Sequence, residues 1–228
     1  MLLNFALTIV QKSFAQGLYG NPDLDAEIVV AYEAGWRYRI SDTASLDIAT
    51  FLNDYDGVED FTYTETPYIM YEPVFHVVGP ASVTNSKYGN IHGVETYFYW
   101  NPFTEWHMTA GLSYLHSEIK NSVNSAITYD PRTLDPKYHA QLGSRLDLPY
   151  DTALDVYAYY VDKLGAHSLP NYVRIDTRFG WMVSHNLEVE LIAQNINGKK
   201  HAEYSQPGYP IEATKIDRTI LGRISWTF

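Results

Sequence analysis

The chain closes on RTILGRISWTF, residues 218–228. Ile220, Gly222, Ile224, Trp226 and Phe228 fall on one parity, and Thr219, Arg223, Ser225 and Thr227 on the other. Alternation with a period of two marks a strand with one apolar face. Terminal residues usually fray, yet here the apolar edge runs through to a final aromatic. The stretch predicts a strand that uses its last residue.

The same alternation recurs upstream. Tyr32, Ala34, Trp36, Tyr38 and Ile40 oppose Glu33, Gly35, Arg37 and Arg39, and Leu46, Ile48, Thr50 and Leu52 oppose Asp47, Ala49, Phe51 and Asn53. Further strands read over 92–100, 106–114, 138–148, 154–160, 172–181 and 187–194. With the terminal strand these make nine, and residues 3–11 would make ten. Short turns fall at Ser41–Ala44, Asn101–Glu105, Pro149–Thr152 and Ser184–Asn186. Longer segments lie at about 12–26, 55–89, 117–136, 163–171 and 196–216. Short turns on one side and long loops on the other predict an all-β fold: a transmembrane antiparallel up-and-down β-barrel, one domain over 1–228.

Composition agrees. The 228 residues include 20 Tyr, 9 Phe and 5 Trp, types that favour strands and amphipathic interfaces. The absence of cysteine excludes disulfides and thiolate metal sites. A formal charge of −11 repels nucleic acid, so that partner is excluded. No run of 18 apolar residues exists to make a spanning helix, but a spanning strand needs only about 9–11 alternating residues.

All five tryptophans, Trp36, Trp100, Trp106, Trp181 and Trp226, lie on the apolar parity near the short-turn end of their strands. On a barrel they form one aromatic girdle at a membrane interface. A soluble β-sandwich also alternates, but gives no reason for the tryptophans to gather at one end. The opposite parity carries Glu33, Arg37, Glu95, Arg145, Asp147, Arg174, Asp176, Arg178, Glu188 and Glu190, which suits a watery or plugged lumen. The start, MLLNFALTIVQKSFAQG, allows three readings. It is a strand, a short buried helix, or a signal-like segment lacking the basic residue that normally precedes the apolar stretch.

Several segments together resemble the C-terminal part of the barrel of TonB-dependent outer-membrane receptors. They are LYGNPDLDAEIVVAYEAGWRY with Asn21, Pro22, Leu24 and Glu27, LDIATFLNDYDGVED, GVETYFYWNP, LIAQNING and the closing GRISWTF. The resemblance runs from about residue 5 to Phe228. It implies a larger barrel of about 22 strands around an N-terminal plug, uptake of ferric siderophores or similar nutrients, and a place in the outer membrane of a Gram-negative bacterium. It also implies that the barrel-assembly machinery reads Ile224, Trp226 and Phe228 as an insertion signal, with outer-membrane lipid as the surroundings. No plug segment is recognisable, so the TonB system is a partner only where a plug is supplied. The expectation is a barrel whose C-terminal end is present and whose missing part precedes it.

Ligand contacts would come from the long loops, where Tyr63, Tyr68, Tyr71, Tyr204 and Tyr209 stand with His76 and His201. Aromatics suit planar catecholates and macrocycles. The eight histidines show no ligand spacing, so neither a metal nor a cofactor is expected. Asp54, Asp56, Glu59 and Asp60, with His76, are the best candidates for an alternative, a small outer-membrane hydrolase with an Asp/His rim. A solvated acidic loop is the plainer reading, and no enzyme is expected. A passive pore is the third reading.

Overall fold

β-branched and aromatic side chains at every second position favour long pleated strands, and these are what form. The structure, a computed structural model, describes residues 8–11, 14–71, 75–121, 124–126, 130–205 and 214–228. The strands are β1 (Thr8–Gln11), β2 (Phe14–Tyr19), β3 (Ile28–Arg39), β4 (Ala44–Tyr63), β5 (Tyr68–Met70), β6 (His76–Phe103) and β7 (Trp106–Ser117). They continue as β8 (Tyr138–Leu148), β9 (Thr152–Val161), β10 (Tyr172–Ser184), β11 (Leu187–Gln194), β12 (His201–Ala202), β13 (Lys215–Ile216) and β14 (Thr219–Trp226). The only helical element among the described residues is a 3-10 turn, Pro131–Thr133.

The chain divides into two compact units, one of residues 1–32, 52–91 and 117–132, the other of 33–51, 92–116 and 133–228. The second unit is a meander in the order β3-β4-β6-β7-β8-β9-β10-β11-β14. These are the nine strands that alternation predicts. Register keeps like with like: one row across the sheet reads Trp106, Leu146, Leu154, Phe179, Leu191, Gly222. The row one residue away reads His107, Arg145, Asp155, Arg178. A slip of one residue in any pair would mix the two faces.

The apolar face points outward. Leu142, Phe179, Trp181, Leu191, Ile220 and Ile224 are all exposed, and the only buried apolar side chains among the described residues are Ala81, Ile119, Ala166 and Leu169. A sandwich would bury this face against a second sheet. Here the meander exposes it, as a wall facing hydrocarbon does.

The first unit differs from the sequence expectation in two places. Residues 55–89 read as a loop, but β4 continues to Tyr63 and β6 begins at His76, so most of the segment is paired strand. Its residues do not keep the apolar alternation that marks the nine strands. The expected strand over 3–11 is described only as β1, which pairs with β2. β2 then runs parallel to β6, from Phe14 beside Val77 to Tyr19 beside Ser82. Among the described residues β2 thus pairs with β6, and neither β1 nor β2 pairs with β3.

Candidate functional site

The segments that carried the resemblance prove to be anchors for the loop-bearing arms. In the first unit, Asn21 donates its side-chain N–H to the Val83 carbonyl at 2.9 Å. Asn85 receives the Asp25 N–H at 2.8 Å and donates to the Asp25 and Gly57 carbonyls at 2.9 and 2.7 Å. The Glu27 carboxylate accepts the Glu59 N–H at 2.7 Å. The Asn-Pro-x-Leu-x-x-Glu pattern is thus a clamp joining the entry to β3 onto β4 and β6. In the second unit, a Cβ on Gly93 would lie 2.3 Å from the Tyr114 carbonyl and 2.7 Å from the Phe51 ring, so only glycine fits there.

The clamped arms carry the expected loop aromatics. Tyr68 pairs opposite Val78, and His76 opposite Met70, in the β5–β6 ladder. Tyr71 is 74 % exposed, and its ring meets Phe75 edge to face at 5.8 Å. Tyr68, Ile69, Met70 and Phe75 are exposed beside it. Ile69, Met70 and Phe75 did not stand out in the sequence, although a run of apolar residues without polar alternation was the available signal. Tyr63 is half-buried, its N–H held by the Asn124 carbonyl at 2.9 Å. The acidic group is divided: the Asp60 side chain is fully buried, accepting from Ser125 at 2.9 Å and Ser86 at 3.3 Å with Lys87 at 3.5 Å. A carboxylate so enclosed braces the arm and is not presented to a substrate. Asp54 and Asp56 line a shallow depression with Tyr88 and Lys120.

Loops of the second unit pack on each other. Ala166 donates its N–H to the Thr133 carbonyl at 3.1 Å, His167 bonds the Ser205 carbonyl, and the His167 and Tyr204 rings lie 5.7 Å apart. Tyr204 remains exposed and able to meet a ligand. His201 is buried, stacked on Tyr172 at 4.0 Å, with Nε2 3.1 Å from Glu203. Its side chain is occupied in packing the loop. Tyr209 lies outside the described residues. Asn195 of QNING is fully buried at φ +52°, donating to the Lys199 and Ile216 carbonyls at 3.2 and 3.4 Å. At the loop end, Lys200 pairs with Asp217 at 2.6 Å and holds its carboxyl below the usual range, aided by the Arg218 N–H.

The inward parity carries a continuous ion network. Arg178 bonds Asp155 at 3.0 Å, Glu188 at 2.7 Å and Glu190, while Glu190 also binds Arg223. A concave stretch of about 560 Å³ on the same sheet is lined by Arg37, Asp47, Glu95, Tyr97, His139 and Gln141, among others. On the other face Trp36, Trp100, Trp181 and Trp226 are exposed, and Trp106 donates its indole N–H to Ser144 at 2.9 Å. The terminal strand pairs Trp226 with Leu187 and Ile224 with Val189, while Phe228 follows the last pair, exposed and edge to face with Trp226 at 6.4 Å. Among the described residues no group of three or more metal-ligating side chains forms.

A family model described as "TonB dependent receptor-like, beta-barrel" matches residues 4–196. Comparison with curated proteins finds no significant match. Among solved structures, similarity extends to the copper transporter OprC, at TM-score 0.69 and 16 % identity over 91 % of this chain and 33 % of that one. It also extends to a G324V mutant of the ferric enterobactin receptor PfeA of Pseudomonas aeruginosa, at 0.68 and 16 % over 94 % and 33 %. The siderophore receptor PirA of Acinetobacter baumannii gives 0.67 and 15 % over 94 % and 34 %. The chain spans about a third of the length of each of these proteins, and the likeness shows a shared fold.

Proposed function

Because the chain belongs to the TonB-dependent receptor-like β-barrel family, we propose that it forms part of the wall of an outer-membrane receptor for scarce metal chelates, ferric siderophores foremost. The observation that carries this reading is the outward apolar face of the meander, with its tryptophans at one end. The family is one of receptors and transporters in Gram-negative outer membranes, and solved relatives bear the names of siderophore and copper proteins. The lipid-facing surface then meets outer-membrane lipid, and Ile224, Trp226 and Phe228 present the insertion signal to the assembly machinery. The TonB system engages only through a plug domain.

In this reading Tyr68 and Tyr71 in the first unit and Tyr204 in the second are ligand contacts, Tyr63, His76 and Tyr209 are further candidates from the long loops, and His201 holds its loop in shape. Exposed aromatic rings stack on a flat catecholate chelate and leave little water between the two surfaces. Titrating the chain in lipid vesicles with ferric enterobactin tests this, with haem and cobalamin as comparison ligands. Saturable quenching of aromatic fluorescence by the ferric chelate is expected. It weakens about tenfold in Tyr68→Ala/Tyr71→Ala, a loss of about 1.4 kcal/mol. The absence of saturable binding of any of the three would remove the reading.

A further inference from the structure

Two imidazoles interrupt the apolar row of the outward face. His92 on β6 shares the parity of Val94, Phe98 and Trp100, and His116 on β7 that of Met108, Leu112 and Tyr114. The two strands are neighbours, and the Thr96 hydroxyl donates to the Leu112 carbonyl at 3.3 Å. Four residues further along each antiparallel strand, His92 and His116 stand across from each other. Their rings are 5.1 Å apart, centre to centre, and tilted by 58°. Both residues are half-buried. The backbone is fixed at this level, because Gly93 approaches the Tyr114 carbonyl so closely that no Cβ fits. Eight positions separate His92 from Trp100, and ten separate His116 from Trp106. At about 3.3 Å per residue, this sets the pair at the opposite border of an apolar band about 25 Å tall. Tyr114, two residues nearer the middle of the wall, packs on Tyr138 at 5.3 Å, with the Lys137 ammonium 5.7 Å from its ring centre. The imidazoles therefore stand on the water side of an aromatic belt, where a dissolved ion reaches them.

We propose that His92 and His116 form a two-imidazole site for a divalent late transition metal, on the lipid-facing rim of the wall and independent of what the loops bind. An ion held at about 2.1 Å by two imidazoles lies about 3.2 Å from each ring centre. At the observed spacing the two ring centres subtend about 105° at such an ion, near the tetrahedral angle that zinc takes in proteins. The torsion that turns an imidazole is broad, so each ring can aim a nitrogen at the shared point. Water completes the shell, as it does in sites that keep an open position. Imidazole ligands without thiolate suit copper(II), nickel and zinc, with copper(II) the tightest. They do not suit calcium or magnesium, which take oxygen. The residues are 24 positions apart in the chain, so the ladder brings them together and no local spacing announces them. An ion so held also ties β6 to β7, because the unfolded chain does not keep two rings at that distance.

The test titrates the full chain, in dodecyl maltoside micelles, with copper(II) chloride and with zinc chloride. A single tightest copper site is expected, and its electron paramagnetic resonance spectrum should show two imidazole nitrogens. His92→Asn and His116→Asn should each weaken that site by about tenfold or more, while His185→Asn, at a turn, leaves it unchanged. Zinc should raise the urea midpoint of the parent and of His185→Asn, but not of the two ligand variants. A measurement on the parent chain keeps the outcome independent of how the variants fold. Copper with ascorbate in air oxidises the side chains that hold it, and mass spectrometry should find His92 and His116 oxidised. Absence of a tight copper site, binding that survives both substitutions or falls equally in His185→Asn, or oxidation that spares either histidine would overturn the inference.

Discussion

Asn195 is held with φ at +52°, fully enclosed, and bonded to three separate parts of the chain. Its N–H meets Asp176 at 2.9 Å, and its side chain donates to Lys199 and Ile216. Asparagine tolerates the left-handed region better than most residues, so the position asks for it twice. Asn195→Ala is expected to lower stability by about 2–3 kcal/mol, because buried carbonyls lose their donor. Urea unfolding in detergent measures this, and a change under 0.5 kcal/mol would show the loop to be held by other contacts. Gly198 stands at φ +70°, in the left-handed region that glycine enters without strain. Glu190 is the other residue that concentrates energy, since its buried carboxylate is shared by Arg178 and Arg223. Glu190→Ala removes the acceptor that Arg178 and Arg223 share and is expected to cost about 1.5–3 kcal/mol, because Arg178 keeps Asp155 and Glu188 while Arg223 is open to water. Glu190→Gln, which keeps the shape and one amide oxygen, is expected to lose less in the same assay, and equal losses would show that the charge itself carries the contact.

At the scale of elements, the arms of β4 and β6 depend on contacts that lie far apart in sequence. The Phe61 carbonyl receives the Ala126 N–H at 2.5 Å, and Thr62 bridges Ser125, so the chain after β7 returns to cover an edge of β4. Asp60 anchors that return through Ser125. In Asp60→Ala, limited proteolysis near 121–126 should speed up several-fold while the β7–β11 ladders stay protected. Equal protection in both regions would show that Asp60 is dispensable. The β12–β13 ladder has its own pin in Lys200–Asp217. The Asp217 carboxyl is depressed in the folded loop, so its contribution is present above the ordinary carboxylate pKa and fades as pH falls through the lower folded value. Hydrogen exchange at His201 and Ala202 should therefore quicken in acid below the normal carboxylate range, and Asp217→Asn should abolish that dependence. These elements also mark where sequence reading stops. The nine strands were readable because Leu142, Leu154 and Phe179 each alternate against polar neighbours. β4 beyond Leu52 and β6 before Ile91 were not, since their residues do not alternate apolar with polar. The parallel pairing of β2 with β6 joins residues some 63 positions apart, and no local pattern records it. Tyr71 was found from composition alone, while the burial of His201 follows from Tyr172 and Glu203, partners that its own surroundings do not announce.

At the scale of the whole molecule, the distribution of apolar surface decides which solvent the meander is made for. Leu142 is 52 % exposed at the middle of β8. On a soluble protein an exposed leucine is nearly indifferent to replacement by a charge. On a wall in lipid, arginine near the midplane costs about 2–4 kcal/mol. Gln141 is the adjacent residue on the opposite parity, lining the concave stretch with Arg37, Asp47 and Glu95. Leu142→Arg should therefore unfold in vesicles at markedly lower denaturant, while Gln141→Arg stays within about 0.5 kcal/mol of the parent. Near the turn side Trp181→Arg should cost less than Leu142→Arg, because an interfacial cation reaches water. Equal effects of Leu142→Arg and Gln141→Arg would mean that both faces meet the same solvent. The bilayer would then have no part in holding the sheet, and the outward tryptophans would need another explanation.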